Sequence, residues 1–313
     1  MRDLIPVNTQ YHSSITGETL HGDGINRFPN IAEDDEFTTS DYIYTFAKDG
    51  WRVKVLDQDH AAYSALLSSI NGKAVTSISG TFDNCRAMKE APAIPEGITT
   101  MDRAFANCTS LVNAPAIPRT IKRMESAFSG CMLLKTAPEL PEGLTSMNHA
   151  FKRCIAMTET PILPESVTDM AHAFEACESL AKIQNLPQNI KELNYTFRSC
   201  FSLKKMPVIP SGVVSLNHTF ENCLDLMELS ALPDDVETMN STFLGCKSLK
   251  TAPVIPSKVY DMQQVFAGCF ALEGTLTCHA NPLYYSRALY GTRIDEVTGR
   301  CSKDKMSRLL KTK

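Results

Sequence analysis

The sequence has no Cys-x-x-Cys pair, no Gly-rich phosphate loop, no His-Glu-x-x-His and no Gly-x-Ser-x-Gly elbow. These absences remove zinc ribbons, thioredoxin-type exchange, nucleotide cradles, zincin peptidases and α/β-hydrolase chemistry as readings. No stretch approaches the roughly 18 consecutive apolar residues of a membrane-spanning helix, so no membrane span is expected. The opening MRDLIPVNTQYHSS has no apolar core of the secretory type. The chain is therefore expected to be cytoplasmic, or to reach the surface by a route that does not use such a signal. A large excess of one charge sign is also lacking. A net charge of −4, with charged residues at 21%, gives little reason to expect nucleic acid or anionic lipid as partner.

Apolar residues are not scarce. At 43% of 313 residues they suffice for an extensive core and argue against disorder. Cysteine is abundant too, but its count of 11 is odd and its intervals do not suggest a secreted disulfide framework.

Position explains the cysteines better. Phe recurs every 23 residues from Phe82 to Phe266, and Cys follows three residues after each, from Cys85 to Cys269. Pro falls in the same frame from Pro95 to Pro256, Met or Leu from Met101 to Met262, and a second Leu or Met from Met88 to Leu272. No insertion breaks the frame, so each unit is expected to stack on the next. Within one unit, Met101, Ala104, Phe105, Cys108 and Leu111 have the spacing of one face of a short helix or helical turn. Leu111–Pro118 contains prolines that exclude a helix, so it is expected to be a short extended segment. Because proline cannot donate to a ladder, the strands are expected to be short and partly irregular. The next aliphatic residue, such as Ile121 or Leu144, would pin the following turn onto the core.

A unit such as MESAFSGCMLLKTAPELPEGLTS at 124–146 resembles the BspA-type leucine-rich repeat of bacterial proteins. Related repeats occur in mycoplasma lipoproteins and gut-bacterial surface proteins. The resemblance rests on Ala-Phe-x-x-Cys-x-x-Leu and the following Ile/Leu-Pro, and covers about 82–272. It implies an α/β solenoid with short parallel strands on the concave face and helical turns on the convex face. It also implies a binding protein, an adhesin or an effector, rather than an enzyme.

Four regions are expected: a polar leader at 1–49 with the acidic run Glu33–Glu36, an N-terminal cap at 50–81, the array at 82–272, and a C-terminal cap with a basic tail helix at 273–313. In the first cap, Trp51–Leu56 alternates like a strand and Ala61–Ser69 reads as a short helix. In the tail, Ser302 is the expected helix cap.

The candidate site lies on strand positions that point away from the core and vary between copies. These are Lys135, Glu139, Glu159, Ile162, Lys182, Asn185, Lys204, Lys205, Val208 and Glu228. Lys182, Lys204 and Lys205 form a basic cluster between two glutamates. With no deep pocket implied, a protein or peptide partner is expected, and no cofactor. A spacer or assembly role, including a phage-associated one, is the competing reading. Two columns remain. His149, His172, Tyr195 and His218 share one repeat position, where stacked imidazoles could hold metal or sense pH, or form a tolerated surface stripe. Asn148, Asn194, Asn217 and Asn240 share the position just before it and suggest a side-chain ladder or turn caps. The cysteine column is expected to be packing, since free Cys serves as a small buried hydrophobe.

Overall fold

The structure is a computed structural model that describes residues 5–22, 28–301 and 303–311. The repeats stack, and every Phe of the 23-residue column from Phe82 to Phe266 is fully buried. Adjacent Phe rings lie 5.1–5.9 Å apart with planes within 11° of parallel. The Cys, Met and Leu columns line the same core.

The convex side is not helical. In the rung from Met101 to Leu111, the N–H groups of Ala104, Ala106, Cys108 and Leu111 each donate to the carbonyl three residues earlier, at 3.0–3.2 Å. The N–H groups between them, on Arg103, Phe105 and Asn107, donate to Glu125, Ala127 and Ser129 of the next rung, at 2.6–2.8 Å. Arg103 and Asn107 have φ of 57° and 59°, in the left-handed region that interrupts a right-handed helix. Each rung therefore presents a staircase of β-turns. Such conformations cost about 1–3 kcal/mol each, but they let alternate amides bond to the neighbouring rung. This corrects the expected helical turns. The residues expected to point inward do so, because successive turns project side chains to that side at nearly the helical spacing.

The strand side consists of single-residue parallel bridges. One column includes Ser77–Thr100–Arg123–Ser146–Asp169, and the other includes Glu90–Asn113–Thr136, Glu159–Lys182 and Lys205–Glu228. Prolines beside the second column remove the donors that would lengthen it.

Among the described residues, the segment expected as a polar leader contains strands. Strands β1 (Gln10–His12), β2 (Thr19–His21), β3 (Glu36–Thr38) and β4 (Tyr42–Ala47) form a sheet with β5 (Gly50–Val55), β6 (Ser69–Ile70) and β7 (Lys73–Ser77). Their order is β2-β1-β3-β4-β5-β7-β6, so the sheet crosses the expected boundary at 49/50. The missed signal is Tyr42-Ile-Tyr-Thr-Phe-Ala47, whose alternation buries Tyr42 and Tyr44. Ala61–Ser69 is not a helix. Its amides are held by sheet side chains instead: Ser64 N donates to Asp41 Oδ2 at 2.7 Å and Leu67 N to Tyr44 Oη at 3.1 Å.

At the other end the staircase runs one rung further than expected. Leu289 takes the Phe place, fully buried, and Arg287 and Gly291 repeat the left-handed pair at 53° and 79°. Strands β8 (Glu273–Cys278) and β9 (Arg293–Gly299) pair in parallel beside it. Helix α1 (Lys303–Lys311) follows; the expected cap Ser302 lies outside the described residues.

Candidate functional site

The expected partner-binding residues fall into adjacent columns on the strand side. All are exposed except Asn185, which is half-buried. Asn185 Oδ1 accepts from Leu163 N and its Nδ2 donates to Leu163 O, both at 2.8 Å. Its amide thus replaces a backbone bridge, so much of its bonding capacity serves the fold. A groove of about 530 Å³ brings together Glu139, Glu159, Ile162 and Asn185 over a floor that includes Pro138, Pro161 and Leu163. A second, of about 440 Å³, brings together Lys182, Lys205, Val208 and Glu228. Lys135 and Lys204 line neither.

The basic cluster is partly neutralised. Lys182 Nζ lies 3.4 Å from Glu159 and Lys205 Nζ lies 3.5 Å from Glu228. Each pair spans one β-bridge, so the register sets it. The pairs are exposed and worth little to stability. The first groove is acidic: its lining contains Glu139, Glu142, Glu159 and Glu165 and no Lys or Arg. Each groove carries a large apolar side chain left in solvent, Ile162 in the first at 74% and Val208 in the second at 81% exposure.

The convex side carries a second arrangement. His149, His172, Tyr195 and His218 stack as a ladder, with centroids 4.4 Å apart and planes within 11°. Three residues on, Lys152, Glu175, Arg198 and Glu221 alternate in sign at the same 23-residue step. Sequence reasoning missed this column, although its alternation was readable. His172 Nδ1 lies 2.6 Å from Glu175 Oε2, and Lys152 Nζ lies 2.9 Å from the same oxygen. Arg198 reaches Glu175 Oε1 at 3.4 Å and Glu221 Oε1 at 3.2 Å. His218 Nδ1 lies 2.7 Å from Glu221 Oε2. Burial pushes both carboxyls up, but bonds from Lys152 and His172 to Glu175, and from His218 and Arg198 to Glu221, outweigh it and hold both below the usual range. His149 is held below the ordinary imidazole value by burial, then by His172 and Lys152. His149, His172 and Glu175 offer ligand atoms that all lie within 4.8 Å of one another.

The Asn column is a ladder from Asn194 to Asn240; Asn148 stands apart from it and donates its Nδ2 to Asp169. Asn194 Oδ1 accepts from Asn217 N at 3.2 Å, and Asn217 Oδ1 from Asn240 N at 2.9 Å. These amides have no acceptor within their own turn, so the preceding rung supplies one. The cysteines are buried. Each from Cys108 to Cys269 donates its S–H to the Phe carbonyl of the preceding rung, at 3.0–3.3 Å. Burial pushes the Cys131 and Cys177 thiols up to about 12, which keeps them protonated and inert.

A profile for the BspA-type leucine-rich repeat region matches residues 60–172 and 146–273, in six copies. The chain belongs to this family. No curated protein matches it. Among solved structures it is similar to a leucine-rich repeat protein from Bacteroides ovatus, at TM-score 0.63 and 23% identity over 84% of this chain and 78% of that one. That likeness shows the curled-strand leucine-rich repeat fold. A leucine-rich repeat protein of T. pallidum matches at TM-score 0.48 and 28% identity, over 68% and 89% of the two chains. A leucine-rich cell surface protein of Faecalibacterium prausnitzii matches at TM-score 0.45 and 19% identity, over 88% and 97%. Among the described residues, no helix is long and apolar enough to cross a membrane.

Proposed function

We propose that this protein is a recognition scaffold that binds an extended segment of another protein along its strand side, without catalysis. The observation that carries this reading is the solvent-facing column containing Ile162 and Val208, at 74% and 81% exposure. Large aliphatic side chains so exposed beside grooves floored by proline are the expected anchors of an interface. Glu139, Glu142, Glu159 and Glu165 around the first groove favour a segment that pairs apolar residues with cationic ones. A bacterial adhesin, effector or other recognition protein fits this surface, and the cell-surface description of one structural relative agrees with it.

The test is selection of displayed peptides on the full chain, with affinities measured by fluorescence anisotropy. Selected peptides should be rich in Lys or Arg next to aliphatic residues. They should lose binding to the Ile162→Asp, Val208→Asp double variant and weaken with Glu139→Lys. Charge reversal at Lys204 and Lys205 should shift affinity by a smaller factor. Peptides indifferent to all of these substitutions would overturn the placement, and failure to select any binder would favour a spacer role.

A further inference from the structure

The histidine ladder carries an inference independent of the strand-side reading. We propose that His149, His172 and Glu175 form a binding site for one divalent transition-metal ion of the zinc type, and that Lys152 is displaced when the ion binds.

The donor set has the right chemistry. Two imidazoles and a carboxylate are preferred by zinc and its neighbours, and three protein ligands leave a position for water. The placement is close to that required. The three ligand atoms lie within 4.8 Å of one another. Tetrahedral ligands at about 2.0–2.1 Å from zinc sit roughly 3.3 Å apart, so the site must tighten on binding. The two imidazoles are stacked at 4.4 Å and within 11° of parallel, so their lone pairs lie in parallel planes and one ring must turn out of the ladder for both to reach one ion. The His172 side chain is about one quarter exposed, at 26%, which gives an ion a path from solvent.

The carboxylate is pre-oriented. Arg198 contacts Glu175 Oε1, leaving Oε2 toward the histidines, where it meets His172 and Lys152. A hydrogen bond to the far oxygen of a ligating carboxylate commonly sets the direction of the near one. Glu175 is buried, with its side chain 10% exposed, and Lys152 at 2.9 Å is one of its balancing cations. Lys152 is itself 32% exposed and can swing into water once a metal ion supplies that charge. The next rungs provide an internal control. His218 and Glu221 repeat the pair at 2.7 Å, but the ring stacked on His218 belongs to Tyr195, so a second imidazole is missing there.

The experiment is titration of the reduced full chain with Zn²⁺ by calorimetry and with Co²⁺ by visible absorption. One ion per chain is expected, with a cobalt spectrum lacking thiolate charge transfer. His149→Phe and His172→Phe keep a flat ring in the ladder and should each weaken binding on the order of 100-fold, at or beyond the upper end of outer-shell effects. Lys152→Ala should retain or tighten binding, and His218→Phe should leave it unchanged. Circular dichroism confirms that each variant is folded. No uptake by the wild type, uptake unaffected by either histidine substitution, or a thiolate-bearing cobalt spectrum would overturn the proposal.

Discussion

The N-terminal sheet and the repeat array solve the same problem, burying aromatic rings, in opposite ways. In the array, Phe stacks on Phe with planes 4–11° apart. In the sheet, rings meet tilted or edge to face, as with Phe37 and Tyr44 at 50°, Tyr11 and Phe28 at 89° and, at the junction, Tyr42 and Phe82 at 85°. Translation by one rung repeats each side chain in the same conformation, so parallel stacking follows from the fold. An antiparallel sheet has no such translation, and its rings settle into the arrangement their quadrupoles favour. Polar groups divide the same way. The array satisfies its buried amides rung to rung, whereas the sheet gathers several donors on one buried carboxylate. Asp35 accepts from Ala32 N at 2.8 Å, from Ser14 N at 2.7 Å, and from the hydroxyls of Ser14 and Tyr11. The array thus spreads its stability, and the sheet concentrates part of it in one side chain.

The strongest test of this contrast is Phe174→Ala in mid-array. It should cost about 3–5 kcal/mol, and hydrogen exchange should show lost protection in the rungs on either side first. The single tryptophan, Trp51, is buried in β5, so its fluorescence reports on the sheet. In this variant its unfolding transition should separate from the far-ultraviolet signal of the array; coincident transitions would mean that the two regions form one cooperative unit.

Asp35→Ala should act in the reverse sense. It strands Tyr11, Ser14 and Ala32 donors and should cost about 2–4 kcal/mol, seen as a lower denaturation midpoint by Trp51 fluorescence while array exchange is little changed. The same group sets an acid dependence. Burial pushes the Asp35 carboxyl up, but the bonds from Ala32, Tyr11 and Ser14 outweigh it and hold it below the usual range. A carboxyl depressed on folding stabilises fully above its unfolded value, near 4. That stability is lost as pH falls through the folded value. The Trp51 midpoint should therefore fall with acidification below about pH 4, and Asp35→Asn should reduce that dependence, leaving the part due to Asp41, which the Ser64 bonds also hold low.

A smaller effect is expected at the cysteines. Cys177→Ala removes one S–H bond to Phe151 O at 3.1 Å and a buried sulfur, for about 1–2 kcal/mol in chemical denaturation. In the native wild type, a disulfide reagent should label none of the cysteines from 108 to 269 until the array opens. The smallest effect belongs to the strand side. Lys182→Ala breaks only an exposed pair with Glu159 and should change stability by less than about 0.5 kcal/mol. A larger loss in thermal denaturation would show that this face is built for support.

Legibility followed period. Every inward column from Phe82 onward could be counted, because a repeat position has one environment in all copies. The Cys column read as packing, and that was incomplete: the S–H bond to the preceding Phe carbonyl depends on a contact 26 residues away. Residues 10–47 lie outside the period, and their short strands draw alternation from only a few residues each, too few to stand out. The Lys152–Glu175–Arg198–Glu221 column had a readable signal, but its link to the histidines required knowing that positions three apart share one turn.

By itself, the sequence determined the repeat length, the side chains that face inward and those left to solvent. The reason is that a 23-residue step admits one register for stacking. Only the tertiary structure decided that the convex segment is a staircase of turns. Its inward spacing suits a helix equally well, and the choice rests on amides such as Phe105 N, which donates to Ala127 of the next rung. It likewise decided that Lys182 and Lys205 stand in ion pairs, that Asn185 serves its neighbour's backbone, and that His149, His172 and Glu175 converge. Each of these depends on which atoms the rung spacing brings together, a distance that no single unit contains.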